Sequence, residues 1–219
     1  MILRKLKALL TKDFLMVLRS PHELLSLLLF STTLFLVFQF SLGTDEDQLR
    51  SYAPGLLWMV TLFTSLLFFQ KSFEKEDSHD QWLGLKTHVP PSLFFFSKWL
   101  THTFFIFLLQ ICLTFLLIIF FNLVPSHIFF LILLLGNVGI TVLGTFYSAL
   151  VRNIKDSHLL FPILFYPMMT PLLLAAVKAT SLSFQGDLFN ENLAWIKLMI
   201  VFDTVFLLGS VMLSETLLE

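Results

Sequence analysis

The chain has 219 residues, of which 57% are hydrophobic and 13% are charged, and its net charge is −1. Its mean hydropathy of +0.85 excludes an ordinary soluble domain and predicts an integral membrane protein. A nearly neutral chain gives no reason to expect nucleic-acid binding, and the single cysteine, Cys112, excludes an intrachain disulfide and a thiolate metal cluster.

Residues 1–23 are predicted to form a helix that lies on the membrane surface. In a helix, the apolar residues of this segment share one face and its basic residues occupy another. The apolar face comprises Leu3, Leu6, Leu10, Phe14 and Val17, and the basic face comprises Lys5, Lys12 and Arg19. A basic flank of the first span would explain the charges equally well, but it would not explain the periodicity.

Six apolar runs follow, and each is long enough to cross a bilayer as a helix. They are residues 24–42, 53–69, 104–121, 128–151, 159–177 and 195–213. About 20 apolar residues are needed to cross the hydrocarbon, where backbone groups must bond within the helix because no water is present. The predicted fold is therefore all-α, with residues 1–219 forming one transmembrane domain of six helices and an N-terminal interfacial helix.

Lysine and arginine are distributed unevenly among the segments between these spans. The N-terminal segment, residues 70–103 and residues 152–158 together carry eleven of them, whereas the alternate segments carry three. Because basic residues concentrate on the cytoplasmic side of a membrane, both termini are predicted to be cytoplasmic.

Residues 70–103 form the long polar interruption of the chain, and the charge count places it in the cytoplasm. This loop combines acidic residues with apolar residues that a solvated loop would have no reason to keep exposed. We interpret its first part as an amphipathic coupling element that docks on a soluble ATPase subunit and is ended by Pro90 and Pro91. The predicted docking residues are Phe73, Glu74, Glu76, Asp77, Asp80, Trp82 and Leu83.

The fourth span has small residues at a spacing of four or eight, with polar residues beside them. The small residues are Gly136, Gly144 and Ser148, and the polar residues are Asn137, Thr141 and Thr145. Small residues allow close helix packing, and the polar side chains can form hydrogen bonds to neighbouring helices. We interpret this pattern as a packing surface.

Three prolines lie within the fifth span, at positions 162, 167 and 171. Each removes a backbone donor, so this helix is predicted to be bent or broken. Pro167 and Pro171 are the candidate hinge. The alternative is a static kink that neighbouring helices tolerate.

Asp203 is the candidate polar site near the middle of the last span. An ionised carboxylate in hydrocarbon is costly, so the side chain should face protein or water, or be protonated. Its role is either a structural hydrogen bond or a part in transport.

The six histidines fall at span ends and in loops, and none is paired at the i, i+4 spacing of a helical metal site. We interpret each of them, including His102, as a boundary residue. No metal site is therefore predicted.

The sequence contains no phosphate-binding loop of the G-x-x-x-x-G-K-[ST] type and no arrangement of catalytic residues. The chain is therefore not expected to be an enzyme. If it does energy-dependent work, a separate subunit must supply the ATPase activity.

Several stretches together resemble the CcmB family, the membrane subunit of the cytochrome c maturation ABC transporter, also called haem exporter protein B. They are "KDFLMVLRS" near the start, "APGLLWM" in the second span, the charged residues 73–80 followed by the prolines and Lys98, and "YPMMTP" in the fifth span. The resemblance covers nearly the whole chain. It implies an ABC-2-type permease architecture in the bacterial inner membrane.

The resemblance also implies a set of partners. Two copies of the chain would couple to two CcmA-type ATPase subunits, which bind the ATP, and would work with CcmC, CcmD and the haem chaperone CcmE. ATP hydrolysis would release haem-loaded CcmE, with haem as the candidate substrate and no cofactor held by this chain.

Two other functions fit the same architecture. One is a generic ABC-2-type exporter permease for a drug, lipid or polysaccharide, although the short outer loops do not favour it. The other is a membrane scaffold that holds haem-handling partners without transport.

Overall fold

The computed structural model describes residues 2–41, 46–77, 89–151, 154, 157–187 and 190–217. Every regular element in these ranges is a helix. In chain order the helices are α1 (Ile2–Leu18), α2 (Pro21–Ser41), α3 (Glu46–Asp77), α4 (Pro91–Phe121), α5 (His127–Val151), α6 (Ser157–Phe184) and α7 (Asn192–Leu217).

Six of these helices, α2 to α7, contain stretches long and apolar enough to cross a membrane within the described part of the chain. The stretches are Pro21–Ser41, Arg50–Gln70, Pro91–Phe121, His127–Val151, Leu159–Phe184 and Asn192–Ser214. Each coincides with one of the apolar runs in the sequence, which confirms the predicted all-α membrane fold.

Helix α4 differs most from its predicted boundaries. It begins at Pro91, so residues 91–103 are helical and do not belong to the polar loop. Pro91 occupies the first turn, where its missing N–H is no loss and its fixed φ suits a helix. The two prolines therefore begin α4, and at its other end Asn122 adopts a left-handed conformation with φ of 48°.

Helix α5 is the centre of the bundle and packs against α3, α4, α6 and α7. Helix α2 lies at the periphery, where it contacts α1, α3 and α4. The side chains of α5 are accordingly mostly buried, whereas those of α2 are mostly exposed. The small and polar residues of α5 are accordingly buried against other helices.

Two glycines of α5 lie directly beneath aromatic rings of α3. The indole of Trp58 occupies the space that a side chain at Gly136 would need, and the ring of Phe69 does the same at Gly144. The Trp58 indole N–H also donates a hydrogen bond to Thr180 Oγ1 of α6 at 2.9 Å. The predicted packing surface is confirmed. The space beside the small residues is filled by side chains of α3 and not only by a close approach of its backbone.

We expect Gly144→Ala to destabilise the bundle. The new methyl group would overlap the Phe69 ring, which is fully buried and packed 5.4 Å from the His102 ring and 6.0 Å from the Phe165 ring. Overpacking of this kind costs about 1–3 kcal/mol. The measurement is the thermal unfolding midpoint of the detergent-solubilised protein, with Gly209→Ala as control because its methyl group would meet no atom within 4 Å. Equal midpoints for the two variants would contradict the prediction.

Candidate functional site

The predicted coupling element starts at the end of α3, which is helical from Glu46 to Asp77 and continuous through Pro54. The backbone at Phe73, Glu74, Glu76 and Asp77 is therefore helical, while the side chains at these positions lie outside the part of the chain that is described. Asp80, Trp82 and Leu83 lie outside the described residues altogether. Docking by this segment stays a prediction.

Helix α1 is attached to the bundle by a buried ion pair with α4. The Asp13 carboxylate lies 3.4 Å from Lys98 Nζ and accepts a hydrogen bond of 2.6 Å from Ser97 Oγ. Asp13 is 1% exposed and Lys98 is 3% exposed, so both charges are removed from water. Burying a charge is costly unless a partner compensates it, which makes this contact the specific attachment point of α1.

Apolar contacts flank the ion pair along α1. Leu9, one turn before Asp13, is buried beside Phe94 and Phe95 of α4. The Phe14 ring lies 5.0 Å and 5.4 Å from the rings of Phe104 and Phe105. Helix α1 thus packs along the first half of α4, with Leu9 and Asp13 at the centre of its buried side.

The sequence interpretation gave neither Asp13 nor Lys98 a structural role, and Lys98 entered only the charge count and the family resemblance. One signal was available, because Asp13 is an acidic residue within a segment that carries five basic residues. Its partner could not be inferred because Lys98 was assigned to the cytoplasmic loop of residues 70–103.

A polar seam joins α4 to α5. It consists of Trp99, His102 and Thr103 on α4 and Asn137, Thr141 and Thr145 on α5. Trp99 Nε1 donates to Thr141 Oγ1 at 3.2 Å, and Asn137 Nδ2 donates to the Thr103 carbonyl at 2.9 Å. The hydroxyls of Thr103 and Thr141 are 2.9 Å apart. The predicted hydrogen bonding of the α5 polar residues to a neighbouring helix is confirmed.

His102 belongs to this seam and is only 1% exposed. Its Nδ1 lies 2.8 Å from Thr145 Oγ1, and its ring packs 5.3 Å from the Phe68 ring. The interpretation of His102 as a boundary residue is therefore wrong. The reason is the early start of α4, which places His102 about three turns inside the helix.

Helix α6 is continuous from Ser157 to Phe184 through its three prolines, so of the two predicted alternatives a break is excluded and a bend stays a prediction. Pro167 and Pro171 are both exposed and face away from the bundle. On the same helix, Tyr166 and Leu173 line an apolar groove of about 560 Å³ between α3 and α6. A change in the curvature of α6 would therefore change the width of this groove.

Asp203 is 6% exposed on α7 and faces α5 and α6. A side chain at Gly139 would contact both Asp203 Oδ1 and Leu172, so the carboxyl group sits where these three helices meet. Neither carboxyl oxygen has a hydrogen-bond partner among the described residues. The structural hydrogen bond that the sequence suggested is thus not found in that part of the chain.

No cluster of three or more His, Cys, Asp or Glu side chains that could hold a metal ion occurs among the described residues. The polar groups there form pairs and seams between helices instead.

Comparison with known proteins gives a consistent result over nearly the whole chain. The family described as CcmB protein matches residues 4–214. The chain is 30% identical over 195 residues to "Heme exporter protein B" of Pseudomonas aeruginosa, covering 86% of both chains. It is also 30% identical over 187 residues to the protein of that name from Bradyrhizobium diazoefficiens, covering 84% of both. For the protein of that name from Rhodobacter capsulatus the identity is 27% over 193 residues, covering 86% of this chain and 88% of that protein.

Proposed function

Because the chain belongs to the CcmB family, we propose that it is the membrane-spanning permease subunit of an ABC transporter in cytochrome c biogenesis. The observation that carries this proposal is the similarity to three proteins named heme exporter protein B, each over at least 84% of the present chain. The six helices of membrane-spanning length support the same role. Haem export, or release of the haem-loaded chaperone CcmE, is the process that it would serve.

In this proposal a CcmA-type subunit supplies the ATPase activity, two copies of the chain form the membrane part, and CcmC, CcmD and CcmE are the other partners. The absence of a phosphate-binding loop from the sequence supports the need for a separate ATPase. Helix α3 offers a route for coupling, because it extends from the predicted docking segment into the bundle. In the bundle, Trp58 and Phe69 of α3 pack onto Gly136 and Gly144 of α5. A displacement of the end of α3 would therefore be transmitted to α5.

The proposal is tested in a bacterium from which the gene for this chain has been deleted. We expect c-type cytochromes, detected by haem staining of gels, to be lost on deletion and restored by the intact chain. Unchanged cytochromes would favour a generic exporter. A strain with an inactive partner ATPase but normal cytochromes would favour the scaffold function.

The orientation proposal places both termini in the cytoplasm of a bacterial inner-membrane protein, on the strength of the charge distribution. We expect reporters fused after Glu219 or within residues 81–87 to have cytoplasmic activity, and a reporter within residues 45–47 to have periplasmic activity. A periplasmic reading after Glu219 would mean that the number of spans is not six.

The hinge proposal assigns Pro167 and Pro171 to a bend of α6 that sets the width of the groove beside it. Replacing both with Ala restores two backbone donors and should straighten the helix. We expect a several-fold loss of c-type cytochromes at an unchanged protein level, since the span remains apolar. Pro54→Ala in α3 is the matched control for removing a helical proline. Normal cytochrome levels in the double variant would identify the prolines as static kinks.

A further inference from the structure

Asp203 carries a carboxyl group that three helices enclose. It is the midpoint of the apolar stretch Asn192–Ser214 of α7. The residue is 6% exposed, and both carboxyl oxygens are buried without a hydrogen-bond partner among the described residues. A side chain at Gly139 of α5 would contact both Asp203 Oδ1 and Leu172 of α6. The carboxyl group is therefore shielded from water as long as α5, α6 and α7 stay packed together.

The closest basic residues along α6 and α7 lie on the outer surface of the bundle. Lys197 precedes Asp203 by six residues, Lys178 follows Leu172 by six residues, and both lysines are exposed. Six residues correspond to about 9 Å along a helix axis. Residues 132–146 of α5, two turns on either side of Gly139, include no ionisable side chain. Asp203 thus has no ion-pair partner among the described residues of these three helices.

Helix α4 also contacts α7, and its ionisable groups are engaged elsewhere. Lys98 is paired with Asp13, and His102 lies against Thr145. Tyr166 of α6 lines the groove on the side of α3. An ionised Asp203 would therefore be a buried charge without compensation, which is costly in any protein interior and above all in a membrane. A neutral carboxylic acid avoids this cost.

We propose that Asp203 is a proton-binding site and that its proton latches α7 to α5 and α6. In the packed bundle the carboxyl group keeps its proton and is neutral. When α7 moves away from α5 or α6, water reaches the carboxyl group, which passes its proton to the water and becomes a carboxylate.

The carboxylate then opposes repacking until it takes up a proton again, because it would have to leave water as an unpaired charge. Proton release and helix separation are therefore linked, and each favours the other. This linkage belongs to the helix bundle and does not depend on what the chain transports.

The first experiment determines the charge state of the carboxyl group in the full-length protein in detergent. Infrared spectra of the unaltered protein and of Asp203→Asn are recorded near neutral pH. A protonated carboxyl group absorbs in a carbonyl region where carboxylates do not, so the difference spectrum should contain one such band. Asp187→Asn is the matched control. The Asp187 carboxyl group lies outside the apolar stretches and accepts hydrogen bonds from the N–H groups of Asn190 and Glu191, so its replacement should leave the band in place.

The second experiment measures the linkage between the proton and the packing. The packed state holds a proton that an aspartyl group in water releases well below neutral pH, so the folded state binds one proton more than the unfolded state. Stability then falls as the pH rises. Between about pH 6 and pH 7, the unfolding equilibrium constant of the unaltered protein in mixed SDS micelles should rise about tenfold relative to that of Asp203→Asn. Thr204→Val, on the adjacent exposed residue, should keep the full pH dependence.

Each experiment can overturn the proposal. A difference spectrum without the protonated band would mean that the carboxyl group is ionised in the packed bundle. Equal pH dependence in the unaltered protein and Asp203→Asn would mean that no proton is linked to the packing. The amide of Asn is neutral and close in shape to the carboxylic acid, so this variant should elute like the unaltered protein in size-exclusion chromatography. Should it not fold, Asp203→Ser, which is smaller and also neutral, takes its place in both experiments.

Discussion

Asp13→Ala should destabilise the folded protein by about 3–5 kcal/mol, because it leaves a buried ammonium group without its carboxylate. Lys98 is 3% exposed, and the Asp13 carboxylate lies 3.4 Å from its Nζ. The loss of the Ser97 hydrogen bond would add to the effect. The measurement is the free energy of unfolding in mixed micelles as the SDS fraction is raised.

Lys12→Ala is the matched control for Asp13→Ala. Its ammonium group is also near Asp13, at 3.5 Å, but the side chain is 27% exposed, and pairs of this kind contribute about 0–1 kcal/mol. The double variant Asp13→Ala with Lys98→Ala should be less unstable than the sum of the two single variants, since neither charge is then left alone. Strict additivity would mean that the two residues do not interact.

Trp82→Ala combined with Leu83→Ala should release the proposed ATPase subunit from the chain. Buried apolar anchors at docking sites commonly cost about 2 kcal/mol or more each when truncated, which for two residues is a loss of affinity beyond a hundredfold. The measurement is co-purification of the ATPase with the tagged chain at physiological salt. Because the segment lies outside the spans, the level of the chain in the membrane should not change.

The acidic residues of the same segment supply the control. Glu76→Gln should weaken capture chiefly at raised salt, since charges at the rim of an interface mainly affect association rate and are screened. If the double variant still co-purifies with the ATPase and supports cytochrome c maturation, the docking surface lies elsewhere. Residues 152–158 and helix α1 would then be the next candidates.

The number and approximate position of the membrane helices could be predicted from hydropathy alone, because apolar side chains dominate each span whether they face lipid or other helices. The start of α4 could not be predicted in this way. Ser97, Lys98 and His102 lower the hydropathy of residues 91–103, but all three are buried against other helices and are not exposed to water. Hydropathy measures the side chains and not their surroundings, so a helix that is polar on its protein-facing side is read as a loop.

The attachment of α1 to α4 could not be predicted from the sequence either. Periodicity identified a helix with an apolar face, but it cannot show that Asp13 on that helix meets Lys98 far along the chain. Pairing between distant charged residues depends on how two helices cross, which one sequence does not reveal. Likewise, the packing role of Gly136 and Gly144 could be predicted from their size and spacing. The identity of the rings that pack against them, Trp58 and Phe69, could not.

The polar seam between α4 and α5 bears on how the protein is made. A newly synthesised α5 carries Asn137 and Thr141, whose polar groups would be costly to transfer from the translocon into lipid without hydrogen-bond partners. Helix α4 emerges immediately before it and presents Trp99 and the Thr103 carbonyl, the hydrogen-bonding partners of those two residues. We therefore expect α4 and α5 to enter the bilayer as a pair during biosynthesis, with α6 and α7 packing onto α5 afterwards.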